Sequence, residues 1–211
     1  MKFKVWRNKL LITNEQMYEI KQLKAINLFE QIINPILKSN NINVINVEDT
    51  SLCKSQSIID HGTGIDGILR VHKYHQIDIE YPVSLRIQMV DHMWNTYTIR
   101  YSRSNGMITE YDKLKMRMSV PGAMYPYWHI QSYVNFSTGE ITIGICRIHN
   151  LVHLIETDKC RFNIIKNESN DISTFAIIDF DDENLKGKSR VIYSNISSAP
   201  CLSSFRKTGD Q

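Results

Sequence analysis

The stretch GTGIDGILRV, residues 62–71, decides the fold of this chain, because a single acid stands among glycines at the start of an apolar run. The run predicts a β-strand that begins at Asp66. A carboxylate at the mouth of a strand either caps a turn or holds a metal ion. These ten residues leave both roles open, so the neighbouring segments have to be considered.

Two further strands follow this one along the chain. The segment PVSLRIQMV (82–90) alternates, and TYTIRYSR (96–103) alternates again before the turn residues SNG. In the first of these strands one side carries Val83, Leu85 and Ile87, and the other carries Ser84, Arg86 and Gln88. If the three strands form a meander, Asp66 and the polar side of the second strand meet on the same side of the sheet.

Helical patterns alternate with these strands. The segments typical of helices are NEQMYEIKQLKAINLFEQIINPILKS (14–39), TEYDKLKMRM (109–118) and HNLVHLIET (149–157). Further strands are predicted for YWHIQSYVNF (127–136), ITIGICRI (141–148) and STFAIIDF (173–180), the first two as a hairpin. The order predicts an α/β fold with a mixed central sheet flanked by helices. We expect a single domain over residues 1–195 and a polar C-terminal tail over 196–211.

Composition limits the function classes only weakly. A length of 211 residues suits one domain, and a net charge of +3 neither requires nor excludes a nucleic-acid partner. The four cysteines are scattered without zinc-site spacing, and the N-terminal MKFKVWRNKLL lacks the apolar run of a secretory signal. No stretch of 18 apolar residues occurs. We therefore expect a cytoplasmic protein that does not enter a membrane.

The order of elements resembles the core of the PD-(D/E)xK, or restriction-endonuclease-like, nucleases. Those enzymes place an Asp at the start of one strand and an acid-x-Lys motif in the next, after an amphipathic helix, and GIDGIL resembles their Asp-bearing strand. The chain is also similar to a divergent phage-type set in which Gln-x-Arg replaces acid-x-Lys. An aromatic-Thr-Ile-Arg segment follows there, which YTIRYSR (97–103) resembles. The resemblance covers about residues 14–155.

The resemblance implies cleavage of DNA with Mg²⁺ or Mn²⁺ as the cofactor. Carried onto this sequence, Asp66 takes the metal-binding position, Ser84 the position of the acid, and Arg86 that of the lysine. Ser84 and Gln88 would orient water or complete the metal shell. Because Ser84 replaces an acid, the second carboxylate that such a site normally uses is missing.

Other residues are candidates to complete this site. Glu30 on the first helix or Asp60 before the glycine turn would supply the missing negative charge. Arg86 can stabilise a phosphoryl transition state but cannot take a proton from water. Arg100 and Arg103 would hold the DNA backbone.

Three functional hypotheses follow from the sequence. The first is a metal-dependent DNA endonuclease or DNA-processing nuclease, which symmetric DNA would favour as a homodimer. The second is a nucleic-acid-binding module that has kept the fold and lost catalysis, as the missing carboxylate suggests. The third is a protein-interaction factor, in which Asp66 is a turn residue and the polar strand face is simply solvated.

Overall fold

The computed structural model describes residues 26–46, 65–72, 78–166 and 172–196. Its first helix, α1, combines a π-helical segment, Phe29–Ile33, with the α-helical segment Asn34–Ser39. The other helices are α2 (Glu110–Met118) and α3 (Ile148–Glu156), with a short 3-10 turn at Glu183–Leu185. The strands are β1 (Asn43–Asn46), β2 (Gly67–His72), β3 (Asp78–Met89), β4 (Thr96–Arg103), β5 (Trp128–Val134), β6 (Glu140–Arg147), β7 (Arg161–Lys166), β8 (Ile172–Asp179) and β9 (Ser189–Asn195).

The strands form two sheets. Six strands lie in the order β1-β2-β3-β5-β6-β9, and three lie in the order β4-β8-β7. The pair β3–β5 is parallel and the other pairs of the larger sheet are antiparallel, which confirms the predicted mixed sheet in an α/β fold. The predicted three-strand meander is wrong, because β4 leaves the sheet and β5 takes its place beside β3. The reason lies in burial, since six of the seven residues of β5 are buried, as expected for a central strand with both faces covered.

Helix α1 covers one face of the larger sheet. Its buried apolar residues are Leu28, Phe29, Ile32, Ile33 and Leu37. The helix ends where Asn41 adopts a left-handed conformation (φ 60°) and the Ile42 N–H donates to the Leu37 carbonyl at 2.9 Å. This turn reverses the chain directly into β1. The first part of the predicted helix, residues 14–25, lies outside the described residues.

The opposite face of the larger sheet packs against α3 and the three-stranded sheet. Tyr97 and Ile99 of β4 are fully buried there, and the Tyr97 ring lies 4.5 Å from that of Phe180. Leu151 of α3 completes this second core. The β4 strand therefore contributes to the core through its own small sheet rather than through a bond to β3.

Helix α2 begins with a capping box. The Thr109 hydroxyl accepts from the Asp112 N–H at 3.3 Å, and the Asp112 carboxylate accepts from the Thr109 N–H at 2.9 Å. The helix predicted over residues 109–118 is thereby confirmed, with Thr109 as its cap. The box fixes the direction in which the first turn of α2 presents Glu110.

After residue 158 the sequence pattern predicted only one strand, and the two further strands there, β7 and β9, were not predicted. All six residues of β7 are exposed, so no burial pattern marks it in the sequence. Residues 197–211 of the predicted tail lie outside the described residues. Within the described parts, no helix is long and apolar enough to cross a membrane.

Candidate functional site

A cavity of about 360 Å³ lies where the start of β2, the middle of β3, the end of β4 and the first turn of α2 meet. Its polar and charged lining residues include Asp66, Ser84, Arg86, Arg100, Arg103, Glu110 and Lys113. Five of these were predicted from the sequence as site residues, and the fold brings all five to one place. Glu110 and Lys113 join them from α2.

Asp66 continues the β2–β3 ladder by one step beyond the pair Gly67–Val83. Its N–H donates to the Val83 carbonyl at 2.8 Å, and its Oδ2 accepts from the Leu85 N–H at 2.6 Å. Because a carboxylate is a strong acceptor, this contact holds the mouth of the hairpin closed. Asp66 therefore caps the open end of the β2–β3 ladder and also lines the cavity.

Arg86 ties three elements together beside Asp66. Its Nη1 donates to the Thr98 carbonyl at 2.7 Å and to the Thr98 hydroxyl at 2.9 Å, while its Nη2 donates to Glu110 Oε2 at 3.0 Å. The same Glu110 oxygen accepts from the Arg100 N–H at 3.3 Å. With side chains 23% and 26% exposed, Arg86 and Glu110 form an ion pair partly screened from water. The guanidinium of Arg86 is thus held in one orientation by β4 and α2.

Glu110 was missed by sequence reasoning. It is one of two acids in the first turn of α2, a position where acids are common for reasons of helix stability alone. Its contact with Arg86 spans 24 positions of the chain, so no local pattern marks it as a site residue. Lys113 was also missed, because no local sequence pattern distinguishes a cavity-lining lysine on α2 from a solvent-exposed one.

Among the described residues that line it, the cavity carries more positive than negative charge. These acids are Asp66 and Glu110, and the cations are Arg86, Arg100, Arg103 and Lys113. The Arg100 guanidinium also lies over the ring of Phe175, 5.2 Å from its centroid. A recess with this balance favours an anionic ligand, and the planar guanidinium forks suit phosphate oxygens.

His129 lies behind Ser84 and is fully buried. Its Nδ1 is 3.3 Å from the Ser84 hydroxyl oxygen, so the two side chains are within hydrogen-bond distance. Burial lowers the pKa of His129 to about 4, while the charges of Glu110 and Arg86 act in opposite directions, the first raising and the second lowering it. At neutral pH the imidazole is therefore uncharged, and its contact with Ser84 is that of a neutral side chain.

Acidification is expected to destabilise the fold through His129. The unfolded chain takes up a proton on this residue near pH 6.5, whereas the folded protein does so only near pH 4. Since the unfolded state binds more protons in that window, the free energy of unfolding falls as the pH falls, by up to about 3 kcal/mol in total. Urea unfolding at a series of pH values measures this slope. The variant His129→Gln should show a shallower slope between these pH values, and an unchanged slope would contradict the assignment.

Two predicted site residues, Gln88 and Glu30, do not line the cavity. Gln88 lies further along β3 and is exposed. Glu30 lies on α1, on the other face of the sheet, where it accepts a hydrogen bond from Asn34 Nδ2 at 3.1 Å. Asp60 lies outside the described residues. The second carboxylate at the cavity comes from Glu110 and not from Glu30.

Comparisons of the chain with protein-family models, with curated proteins and with solved structures find no match. The proposed function therefore rests on the residues around the cavity.

Proposed function

We propose that the protein is a Mg²⁺-dependent nuclease that acts on DNA, and that the cavity between β3 and α2 binds the phosphate to be cleaved. The observation that carries this proposal is the convergence of Asp66 and Glu110 on a cavity that also holds four cations. Glu110 supplies the second carboxylate that the sequence lacks at Ser84. Two carboxylates beside several guanidinium groups are the side chains that metal-assisted phosphodiester cleavage requires.

The residues present fit a hard divalent cation. Mg²⁺ and Mn²⁺ prefer carboxylate oxygens, and Mg²⁺ usually takes only one or two from the protein and completes its shell with water and substrate phosphate. Both hydrogen bonds to the Glu110 side chain fall on Oε2, and within the described residues Oε1 accepts none. Among those same residues no group of three or more His, Cys, Asp or Glu side chains gathers at one point. When bound, the ion would activate a water molecule and offset charge on the phosphate.

The cations have separate tasks in this proposal. Arg100 and Arg103 bind phosphate oxygens of the DNA backbone. Arg86, held in place by Thr98 and Glu110, faces the scissile phosphate as a fixed fork. Lys113 brings a primary amine to the same cavity, and so provides the lysine that Arg86 replaces in β3.

The arrangement of β2 and β3 supports the restriction-endonuclease-like core that the sequence resemblance implies. An antiparallel hairpin carries Asp66 at its mouth and Arg86 in the middle of its second strand, and α1 precedes both. A parallel strand, β5, then lies beside β3.

A second candidate function is DNA binding without cleavage. The Arg86–Glu110 ion pair favours it, because the arginine occupies an oxygen of the carboxylate that a metal ion would need. In that case the cavity would bind a phosphate through its cations alone.

A cleavage assay on supercoiled plasmid separates the two functions. We expect nicking in Mg²⁺ or Mn²⁺, no nicking in EDTA, and salt-dependent binding of a labelled DNA duplex in both conditions. Binding without nicking in either metal would establish the second candidate instead. If the protein neither binds nor cleaves, both functions are wrong.

A further inference from the structure

A second and larger cavity, of about 660 Å³, lies on the α1 face of the six-stranded sheet. It is bordered by the end of α1, by β2, by the start of β5 and by the start of β9. Its charged lining residues are Lys38, Arg70, Lys188 and Arg190. Within the described parts of the chain no acid lines it. We call it the basic groove.

Among the residues that the structure describes, acids balance the cations of the basic groove only in part. Arg70 pairs with Glu80 at 2.7 Å, and it is the one of the four that forms an ion pair within the described residues. Arg190 donates from Nη1 to the Asn40 carbonyl at 3.2 Å and from Nη2 to the Asn40 side-chain oxygen at 3.1 Å. These bonds fix its guanidinium at the end of α1 without neutralising it. The groove therefore keeps a positive charge that an anionic ligand would balance.

The basic groove and the first cavity flank the same end of the larger sheet. Pro126 lines the first cavity, and Trp128, two residues later, lines the basic groove. Arg147 lies between them, with its guanidinium carbon 5.4 Å from the ring centroids of both Tyr127 and Trp128. Arg147 pairs with Trp128 in the β5–β6 ladder and directly precedes Ile148, which lines the first cavity, so it adds a cation at this end of the sheet between the two cavities.

The lowered pKa of His149 agrees with a positive potential at this end of the sheet. Partial burial lowers its pKa, and so do the nearby charges of Arg147 and Lys188 and the neighbouring His153. Lys188 lines the basic groove and Arg147 lies at the end of β6, so the charges of both act on His149.

We propose that the basic groove binds backbone phosphates of a nucleic acid at a distance from the scissile bond. The inference rests on the proposed function for the class of ligand but does not depend on cleavage. A cavity of this volume would also hold a free nucleotide. The backbone is favoured because cations extend past Arg147 to the first cavity, a span that a row of phosphates can follow and a single nucleotide cannot.

The test compares two double variants that each remove two exposed lysine charges. Lys38→Gln with Lys188→Gln changes the basic groove, and Lys159→Gln with Lys166→Gln is the matched control, since neither of its lysines lines the basic groove or the first cavity. Binding of a labelled DNA duplex is measured by fluorescence anisotropy in EDTA over a range of KCl concentrations. The groove variant should bind about tenfold more weakly at physiological salt, and its slope of log affinity against log salt should be shallower by about two. The control should match the wild type in slope.

The outcomes distinguish this inference from the proposed function. If the groove variant keeps the wild-type slope, the inference is overturned, even when the wild type cleaves DNA. If the slope falls and the wild type does not cleave, the groove stands and the nuclease proposal fails. Titration with AMP by calorimetry tests the other source of phosphate. If the wild type binds AMP saturably and the groove variant loses this binding while its DNA binding is unchanged, the ligand of the groove is a free nucleotide and the inference is overturned.

Discussion

Asp66→Asn is expected to lower Mg²⁺-dependent DNA cleavage by on the order of 10²- to 10³-fold, the loss typical of removing one electrostatic contact to a transition state. Asparagine keeps an oxygen that can accept the Leu85 N–H, so the mouth of the β2–β3 hairpin stays closed. Only the negative charge is lost, and with it the affinity for a divalent ion. Initial rates of plasmid nicking at several Mg²⁺ concentrations measure the effect.

The exposed acid Asp181 provides the control, because Asp181→Asn removes the same charge at a residue that does not line the cavity. Asp66→Ala adds a second comparison, since it also removes the acceptor for Leu85 and should lower the free energy of unfolding by about 1–3 kcal/mol. If Asp66→Asn nicks DNA at the wild-type rate while Asp66→Ala is destabilised, Asp66 is a strand cap and does not hold a metal.

Glu110→Gln distinguishes the proposed binding of the ion by Glu110 from its contact with Arg86. The glutamine oxygen can still accept from Arg86 and from the Arg100 N–H, so the position of the guanidinium is largely kept. If Glu110 binds the ion, the Mg²⁺ concentration at half-maximal rate rises in this variant. If Glu110 only positions Arg86, that concentration stays the same and only the maximal rate falls.

The second large effect is on stability, and it concerns Gly144 in β6. A Cβ added to Gly144 would lie 2.3, 2.5 and 2.7 Å from three carbons of the Phe180 ring. Phe180 is 2% exposed and packs against Tyr97, so it has no free space into which to move. Gly144→Ala should therefore cost about 3 kcal/mol through overpacking and lower the Tm by about 10 °C. Differential scanning calorimetry measures the change.

Two further variants show whether the loss arises from this contact. Phe180→Leu removes ring atoms that the new methyl group would meet, so the double variant should recover part of the loss, with a coupling energy above about 1 kcal/mol. Gly106→Ala serves as the comparison, because Gly106 has φ 71° and nothing within 4 Å of an added Cβ, so it reports backbone strain of about 1 kcal/mol alone. An unchanged Tm for Gly144→Ala would contradict the packing of β6 against Phe180.

Element boundaries could be predicted where the pattern is local. The alternation in 96–103 matches β4 from its first to its last residue, and Thr109 marks the start of α2 through its capping box. Strand pairing could not be predicted in the same way. Which strand lies beside β3 depends on how much surface each pairing buries. Although β4 is nearer to β3 in sequence, the nearly continuously buried β5 is its neighbour in the sheet.

The candidate site also has some features that a local sequence pattern predicts and others that depend on tertiary packing. The sequence alone determined that Asp66 stands at the beginning of a strand, which the structure starts at Gly67, and that Ser84 and Arg86 share one side of the next, because side chains in a strand alternate with a period of two. Only the tertiary structure decided that Glu110, rather than Glu30, supplies the second carboxylate at the cavity. That choice depends on the docking of α2 beside β3 and β4, where Arg86 finds Thr98 and Glu110 as partners. Contacts between residues so far apart in the chain follow from packing, which no local sequence period encodes.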